Sequence, residues 1–572
     1  MFEINYIKNK NTSIPTTLEG ITKIQNYIPL YKNFFQLSDS NFNNINLNNR
    51  YHVTHFEKKE TDNRWSCQVK SETQQKKVQT FLKYSPLIDP IKYMAGKYKD
   101  MPIDILPSFK GGEGHKKIRD GNNSAYIDGF FAFLSSQVLN THRFLHGTDF
   151  YGSFLAIKDK FKYNIIDDLE YLHDSEFFHN NKDKIFKVED DYEELFDDIH
   201  TRHYRKPLKI GDCVKSLNTE NLDNSKFKDL FKTDDGAENL KNSVDISASI
   251  AADIADDIIQ DSSENIIVNH ATANHGTAST TSSACSSRSS HTSRGSQNSH
   301  NSNVSSSDSE SSSSLSTASD DYINASLFNF PVQIICLEAL EDTLDSIMPE
   351  LSMEEWRSCF FQVIMILLVY QKLFDFTHND LHTNNIMYIN TEAKFLYYSY
   401  NNKYYKVPTF GKIYKIIDFG RAIYKFKGNV MCSDSFHPKG DAATQYNCAP
   451  YLNPNKPRLD PNKSFDLCRL GCSLFDFFFN ESLDKIDKIV DPIAQLVNKW
   501  CKDDKGRNIL YKNNGEERYP EFKLYKMIAR CVHHCPPDKE INNSMFNKYI
   551  SGAKRVKKKR VFYVDKLPTY TN

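Results

Sequence analysis

Between Tyr51 and Tyr84 apolar and polar residues alternate with period two, the pattern of strands that bury one face. Tyr51-Val53-His55, Trp65-Cys67-Val69 and Val78-Thr80-Leu82 carry the alternation, so three strands are predicted, with turns over 58–63 and 71–77. Pro86 ends the third strand, because proline has no N–H to give a ladder. The period then lengthens. Tyr126, Ile127, Phe130, Phe131, Leu134 and Val138 fall on one face of a helix that Ser124 can cap and that runs to about residue 139. After Gly147 and Gly152 comes a strand-like Ser153-Phe154-Leu155-Ala156-Ile157, and Val332 to Leu337 reads as a buried strand. Beyond it the pattern turns mainly helical. Helices are predicted over 353–373, 464–479, 491–499 and 521–532, the third with Asp491 as cap and Pro492 in its first turn. Tyr388-Ile389 and Phe395 to Ile417 are strand regions, the second interrupted at Asn401-Asn402. The expected class is α+β, with strands and one helix first and a helical half after them.

Composition divides the chain further. From about 243 to 320 it is mostly Ser, Asn, Thr, Ala and His, too polar to offset the entropy of ordering, with a short helix conceivable over 246–259. The expected layout is an N-terminal extension over 1–44, a β-rich part over 45–198, a Ser-rich insertion over 199–325, a last strand over 326–337, a helical part over 338–550 and a basic tail over 551–572. The insertion offers many hydroxyls in chain expected to be disordered. Net charge is −1, so no global field draws the chain to nucleic acid or to a membrane. The apolar run Phe360–Leu368 is too short to span a bilayer. Twelve scattered cysteines and no signal-peptide pattern lead to the expectation of free thiols and an intracellular location. Cys501 and Cys531-Val532-His533-His534-Cys535 fit no common zinc spacing, and buried thiols at a helix end are the better reading. Lys554 to Arg560 is a basic run, a nuclear-import or nucleic-acid contact or simply a solvated strand.

The chemistry concentrates in His378-Asn379-Asp380-Leu381-His382-Thr383-Asn384-Asn385, followed 33 residues later by Asp418-Phe419-Gly420. One Asp can orient a hydroxyl, an Asn five positions on can hold a metal, and a second Asp can hold metal against nucleotide phosphates. With these motifs the chain resembles the eukaryotic-type protein kinases over roughly residues 51–550 apart from the insertion. In its divergent form it is similar to serine/threonine kinases of giant DNA viruses, whose setting would be host cytoplasm or virion. The resemblance implies a two-lobed fold, with a β-rich small lobe and a mainly helical large lobe, and ATP- and magnesium-dependent phosphorylation of Ser or Thr on a protein substrate. It makes Asp380 the hydroxyl-orienting base, with His378 and His382 beside it as catalytic candidates, and Asn385 and Asp418 the magnesium ligands. Phe419 and Gly420 follow as nucleotide-side residues that pack and hinge the next segment. Asp466 is similar to the family's buried helix Asp that accepts hydrogen bonds from the catalytic-loop backbone. Lys83, with Asp128 as its acidic partner, is the first choice for the phosphate-binding lysine, and Lys158 in Ala156-Ile157-Lys158 is the alternative. Glu338-Ala339-Leu340 stands where main-chain groups, those of Glu338 and Leu340 among them, would read adenine.

Several positions depart from the family. No glycine lies between Tyr51 and Lys83, so the Gly-rich phosphate loop is missing. Asn379 replaces an Arg that would receive a regulatory phosphate, and His382 replaces a Lys. Asp128 replaces a Glu and is one methylene shorter, so its helix must sit closer or the pair be looser. Ala449-Pro450-Tyr451 stands where Ala-Pro-Glu is usual. Asp380-Leu381-His382 also matches aminoglycoside- and choline-kinase-like enzymes, which keeps small-molecule phosphorylation open. A pseudokinase scaffold is the third reading.

Overall fold

The computed structural model describes residues 6–8, 18–112, 114–188, 323–479, 483–552 and 560–572. The helix expected over 246–259, most of the Ser-rich insertion and the basic run at 554–559 lie outside the described residues. The described residues fall in one unit, in which a curled antiparallel sheet packs beside helices.

The sheet has seven strands: β1 (Ile21–Gln25), β2 (His52–Lys59), β3 (Arg64–Lys70), β4 (Gln75–Pro86), β5 (Phe150–Asn164), β6 (Phe186–Val188) and β7 (Asn324–Glu338). Their order is β1-β5-β7-β4-β3-β2, with β6 also on β7, and every pairing is antiparallel. The three alternating segments predicted before Pro86 are β2, β3 and β4. The N-terminal extension, to which no role was assigned, adds β1 to the edge and buries Leu30.

Helix α1 (Ser124–His142) lies against this sheet. Asn123, not Ser124, is its cap, and its side chain accepts from Ala125 N–H at 3.0 Å. Every residue from Ala125 to Val138 is buried, because the sheet takes one side of the helix and the aromatic centre of the molecule takes the other. The Phe131 ring meets Tyr370, Phe376 and Phe419 at centroid distances of 5.2, 4.4 and 4.6 Å. A Cβ on Gly129 would overlap the Gln333 side-chain amide of β7, so the glycine lets α1 approach the sheet.

After β7 the chain enters α2 (Met353–Phe374), held at its start by a reciprocal capping box of Ser352 and Glu355. This is the one described helix long and apolar enough to cross a membrane, and 89% of that stretch is buried inside the fold. Strands β8 (Ile386–Asn390), β9 (Phe395–Tyr400), β10 (Lys403–Pro408) and β11 (Lys412–Ile416) follow, then helices α3 (Phe465–Phe478), α4 (Pro492–Trp500) and α5 (Lys523–Cys531). As the sequence predicts, Asp491 caps α4 by accepting from Ile493 and Ala494 N–H.

Residues 560–572, within the expected basic tail, are docked on the fold. Val561–Tyr563 forms β12, parallel to β9. Tyr570 is 1% exposed, stacked on Phe374 and against Phe426, with its hydroxyl 2.7 Å from His142 Nε2. The segment carries Val561, Phe562 and Tyr570, enough apolar surface to favour docking over solvation.

Candidate functional site

Lys83 is in β4, three residues before Pro86, on the face that α1 covers. Its ammonium lies 2.7 Å from Asp128 Oδ2 of α1 and 3.0 Å from Asp418 Oδ1. Three residues far apart in sequence thus share one buried contact. Asp128 is short, and the close approach at Gly129 compensates for the missing methylene. Its other oxygen, Oδ1, accepts from Phe419 N–H at 2.8 Å and so ties α1 to the segment after Asp418. Burial drives the Asp128 carboxyl above its ordinary range and Lys83 opposes the shift. Burial acts in the same sense on Asp418, but there the Lys83 charge and hydrogen bond win and hold the carboxyl below its ordinary range.

The Asp380 loop is placed by two devices. Antiparallel pairing of β8 with β11 sets Ile386 opposite Ile416, and Ile417 N–H donates to Asn385 O at 3.0 Å, so Asn385 and Asp418 leave neighbouring strands together. From the other side Asp466, in the first turn of α3, accepts from His378 and Asn379 N–H, each at 2.9 Å. Asn379 adopts φ +63° and Asp418 the same +63°, a left-handed conformation that Asn and Asp tolerate better than most residues.

Asp380 is 2% exposed. Its Oδ1 accepts from the Tyr525 hydroxyl at 2.9 Å, and Arg421 Nε lies 3.9 Å from Oδ2. Burial raises its pKa, but the surrounding charges, Arg421 foremost, outweigh burial and keep the carboxylate ionised. Asn385 has its amide nitrogen fixed, donating to Asp380 O at 2.9 Å and to His382 Nε2 at 3.1 Å. That pins the amide orientation and leaves Oδ1 without a partner among the described residues. Asp418 Oδ2 is likewise unpartnered there, since Lys83 and Gly420 N–H both engage Oδ1. Two hard oxygens, one amide and one carboxylate, are the type of donor magnesium takes beside phosphate and water. No group of three or more His, Cys, Asp or Glu able to hold a metal by itself occurs among the described residues.

Other candidates move to different roles. His378, expected as catalytic, donates from Nε2 to Ile417 O at 2.9 Å and accepts Asp380 N–H on Nδ1 at 3.3 Å. Both ring nitrogens are used, so it positions the loop. Burial pushes His382 down to about 4, so it is neutral near pH 7. The Phe419 ring, expected on the nucleotide side, is turned into the aromatic centre against Phe131, Phe376 and His378. Gly420 sits beside it, its N–H 3.4 Å from Asp418 Oδ1. The Glu338 carboxylate binds Lys415 Nζ at 2.6 Å through Oε2, which also accepts from Asp149 N–H. The Leu340 side chain is buried and its carbonyl accepts from Arg64 Nη2. Lys158, the alternative lysine, is on the outer face of the sheet. Its ammonium stands 3.7 Å above the Tyr84 ring, in a cavity of about 470 Å³ whose lining includes neither Asp128 nor Asp418.

The glycine-free turn between β2 and β3 is closed by side chains and main chain. Asn63 donates from Nδ2 to Leu82 O at 2.8 Å and accepts Leu82 N–H at 2.7 Å. Asn379, in place of Arg, is spent on neutral contacts: Nδ2 donates to Arg421 O and Oδ1 accepts from Tyr446 hydroxyl. The ten cysteines among the described residues are free thiols, with Cys501 and Cys535 buried. Sequence reasoning missed Arg421, Tyr525 and Arg469. Arg421 directly follows the Asp-Phe-Gly motif, so position could have flagged it. Tyr525, braced by Arg469 Nε at 2.9 Å, carries no local signal.

No family model matches the sequence, and no curated protein matches it.

Proposed function

We propose that the chain is a protein-kinase-like phosphotransferase of two lobes, the curled sheet with α1 forming the small one and α2 to α5 the large one. It would move the γ-phosphoryl group of a nucleoside triphosphate, ATP being the expected donor, to Ser or Thr hydroxyls of a protein. The observation that carries this reading is the Lys83 ammonium held between Asp128 and Asp418, with Asp380 and Asn385 beside them. A buried cation flanked by an unpartnered carboxylate oxygen and an unpartnered amide oxygen suits a metal-bound polyphosphate better than it suits a core. Magnesium, when bound through Asn385 Oδ1 and Asp418 Oδ2, would neutralise phosphate charge.

The protein's own groups then do the following. Lys83 pairs phosphate oxygens, kept in place by Asp128. Asp380, ionised, accepts the hydrogen of the incoming hydroxyl and aligns its oxygen with the γ-phosphorus. The oxygen–phosphorus bond forms as the β–γ bridge breaks, the proton passes to Asp380, and the nucleoside diphosphate leaves. Asp466 and His378 hold the loop so that this alignment needs no rearrangement.

The test is transfer from γ-labelled Mg-ATP and Mg-GTP to generic protein substrates, aminoglycosides and choline, with products identified by mass. Transfer to protein Ser or Thr is expected, lowered about 100-fold or more in Asp380→Ala while nucleotide binding persists. Transfer only to small molecules replaces the acceptor. Absence of both transfer and nucleotide-dependent thermal stabilisation overturns the reading.

A further inference from the structure

Asp380 has two carboxylate oxygens, and nothing in its own loop decides which one meets an incoming hydroxyl. The torsion that turns a carboxylate is soft and two-fold, so an Asp held only by its backbone exchanges its oxygens. Here the choice is made from α5. The buried Tyr525 donates its hydroxyl to Asp380 Oδ1 at 2.9 Å, the one hydrogen bond to this carboxylate among the described residues. Its direction is fixed. Arg469 Nε lies 2.9 Å from the same hydroxyl and can only donate, so the hydroxyl hydrogen goes to Asp380.

The Tyr525 ring cannot turn away. It stacks on Phe522 at a centroid distance of 5.2 Å with 13° between planes, and Phe465 lies 6.1 Å off. The Arg421 and Arg469 guanidiniums stand 5.8 and 5.1 Å from its centre. Asp380 Oδ2 is left without a hydrogen bond among the described residues, since Arg421 Nε at 3.9 Å is beyond donating distance. Arg469 follows Asp466 by three residues on α3, so both project from one side of that helix. One helix therefore grips the loop backbone through Asp466 and the Asp380 carboxylate through Arg469 and Tyr525.

We propose that Tyr525, backed by Arg469, is a positioning residue of this site: it pins Asp380 Oδ1 and makes Oδ2 the oxygen that receives the acceptor hydroxyl. The inference rests on the phosphotransferase reading and adds to it. In the transfer step the acceptor O–H bond breaks and its proton passes to Oδ2. The acceptor oxygen bonds the γ-phosphorus as the β–γ bridge breaks, and Tyr525 keeps its own proton throughout. Without the Tyr525 hydroxyl the carboxylate is free to turn toward the Arg421 charge, and a turned carboxylate slows the chemical step. Tyr525 acts through Asp380, so its loss leaves nucleotide and acceptor binding alone.

The experiment measures kcat and KM of the full chain for transfer from Mg-ATP to casein, kanamycin or choline, whichever wild type phosphorylates. The variants are Tyr525→Phe, Phe522→Leu, Arg469→Lys and the Tyr525→Phe/Arg469→Lys double, each with its melting temperature. Tyr525→Phe should lower kcat about tenfold or more and leave both KM values within about twofold. Phe522→Leu disturbs the ring stack but keeps the hydroxyl, and its kcat should stay within about twofold of wild type. Arg469→Lys should lower kcat by itself and add nothing to Tyr525→Phe, because Arg469 acts through the hydroxyl. A Tyr525→Phe kcat close to wild type, a rise in KM alone, or an equal kcat loss in Phe522→Leu overturns the positioning role and spares the phosphotransferase reading. Should Tyr525→Phe fail to fold, an unchanged kcat in Arg469→Lys overturns the role and a lowered one supports it. No transfer by folded wild type to any of the three acceptors sinks both.

Discussion

His146 and His382 are both buried and both pushed down to about 4 by that burial. His146 is held between Tyr414 O at 2.7 Å and Tyr398 hydroxyl at 2.6 Å, an arrangement that uses the neutral ring. Each folded-state value lies below the ordinary 6.5. As pH falls through about 6.5 the unfolded chain takes up protons that the folded chain refuses until about 4. Stability is therefore lost across that window, by up to about 1.4 kcal/mol per pH unit for each histidine. Urea unfolding at pH 7, 6 and 5 should show the loss, and His146→Gln should reduce it, leaving the part due to His382. A wild-type profile with no decline contradicts the assignment. At this scale Asp380, Asn385 and Asp418 were legible because their spacing is local and the chemistry demands those residue types. Tyr525 was not, because it meets Asp380 across 145 residues and only the tertiary fold brings them together.

The elements that read most clearly were those with local signals at both ends. Helix α2 was expected over 353–373 and observed over Met353–Phe374, with a capping box at its start and Asp375 at φ +50° at its end. The Asn401-Asn402 interruption is a two-residue hairpin turn between β9 and β10, with φ +49° and +60°. Both residues in the left-handed region match the twist of the flanking strands. Replacing Asn402 with Val should cost about 1–2 kcal/mol in chemical denaturation, and Asn402→Gly about nothing. Equal stability of the Val variant would remove the turn from the list of register-setting features. Of β5 the sequence showed only Ser153 to Ile157, whereas nearly all of β7 was expected over 326–337. The outer half of β5 carries Lys158, Lys160 and Lys162, whose polarity hides a strand that pairing completes. The pairing of β8 with β11, which sets Asn385 beside Asp418, also carries no local mark, since register follows from tertiary contact.

In the whole molecule the last residues act as a clamp. Tyr570 N–H donates to Leu373 O at 2.8 Å, its carbonyl accepts from Lys427 N–H, also at 2.8 Å, and its ring fills the gap between α2 and Phe426. Tyr570→Ala should cost about 3 kcal/mol, and removal of residues 560–572 should lower the melting temperature at least as much. An unchanged melting temperature in both would show that the segment is dispensable. This docking was illegible because the neighbouring basic run dominates the composition of the C-terminus while the contacts come from a few apolar side chains. The same clamp borders the aromatic centre that joins α1, α2 and Phe419, so loosening it should also weaken nucleotide binding.

The most direct measurement of the central claim is paramagnetic detection of Mn²⁺, used in place of magnesium, titrated into the full chain with a non-hydrolysable nucleoside triphosphate. Wild type should show a nucleotide-dependent bound ion, lost in Asp418→Ala and weakened in Asn385→Ala, with the fold of both variants intact. A bound-ion signal of equal strength in wild type and Asp418→Ala, or none in wild type, would contradict it.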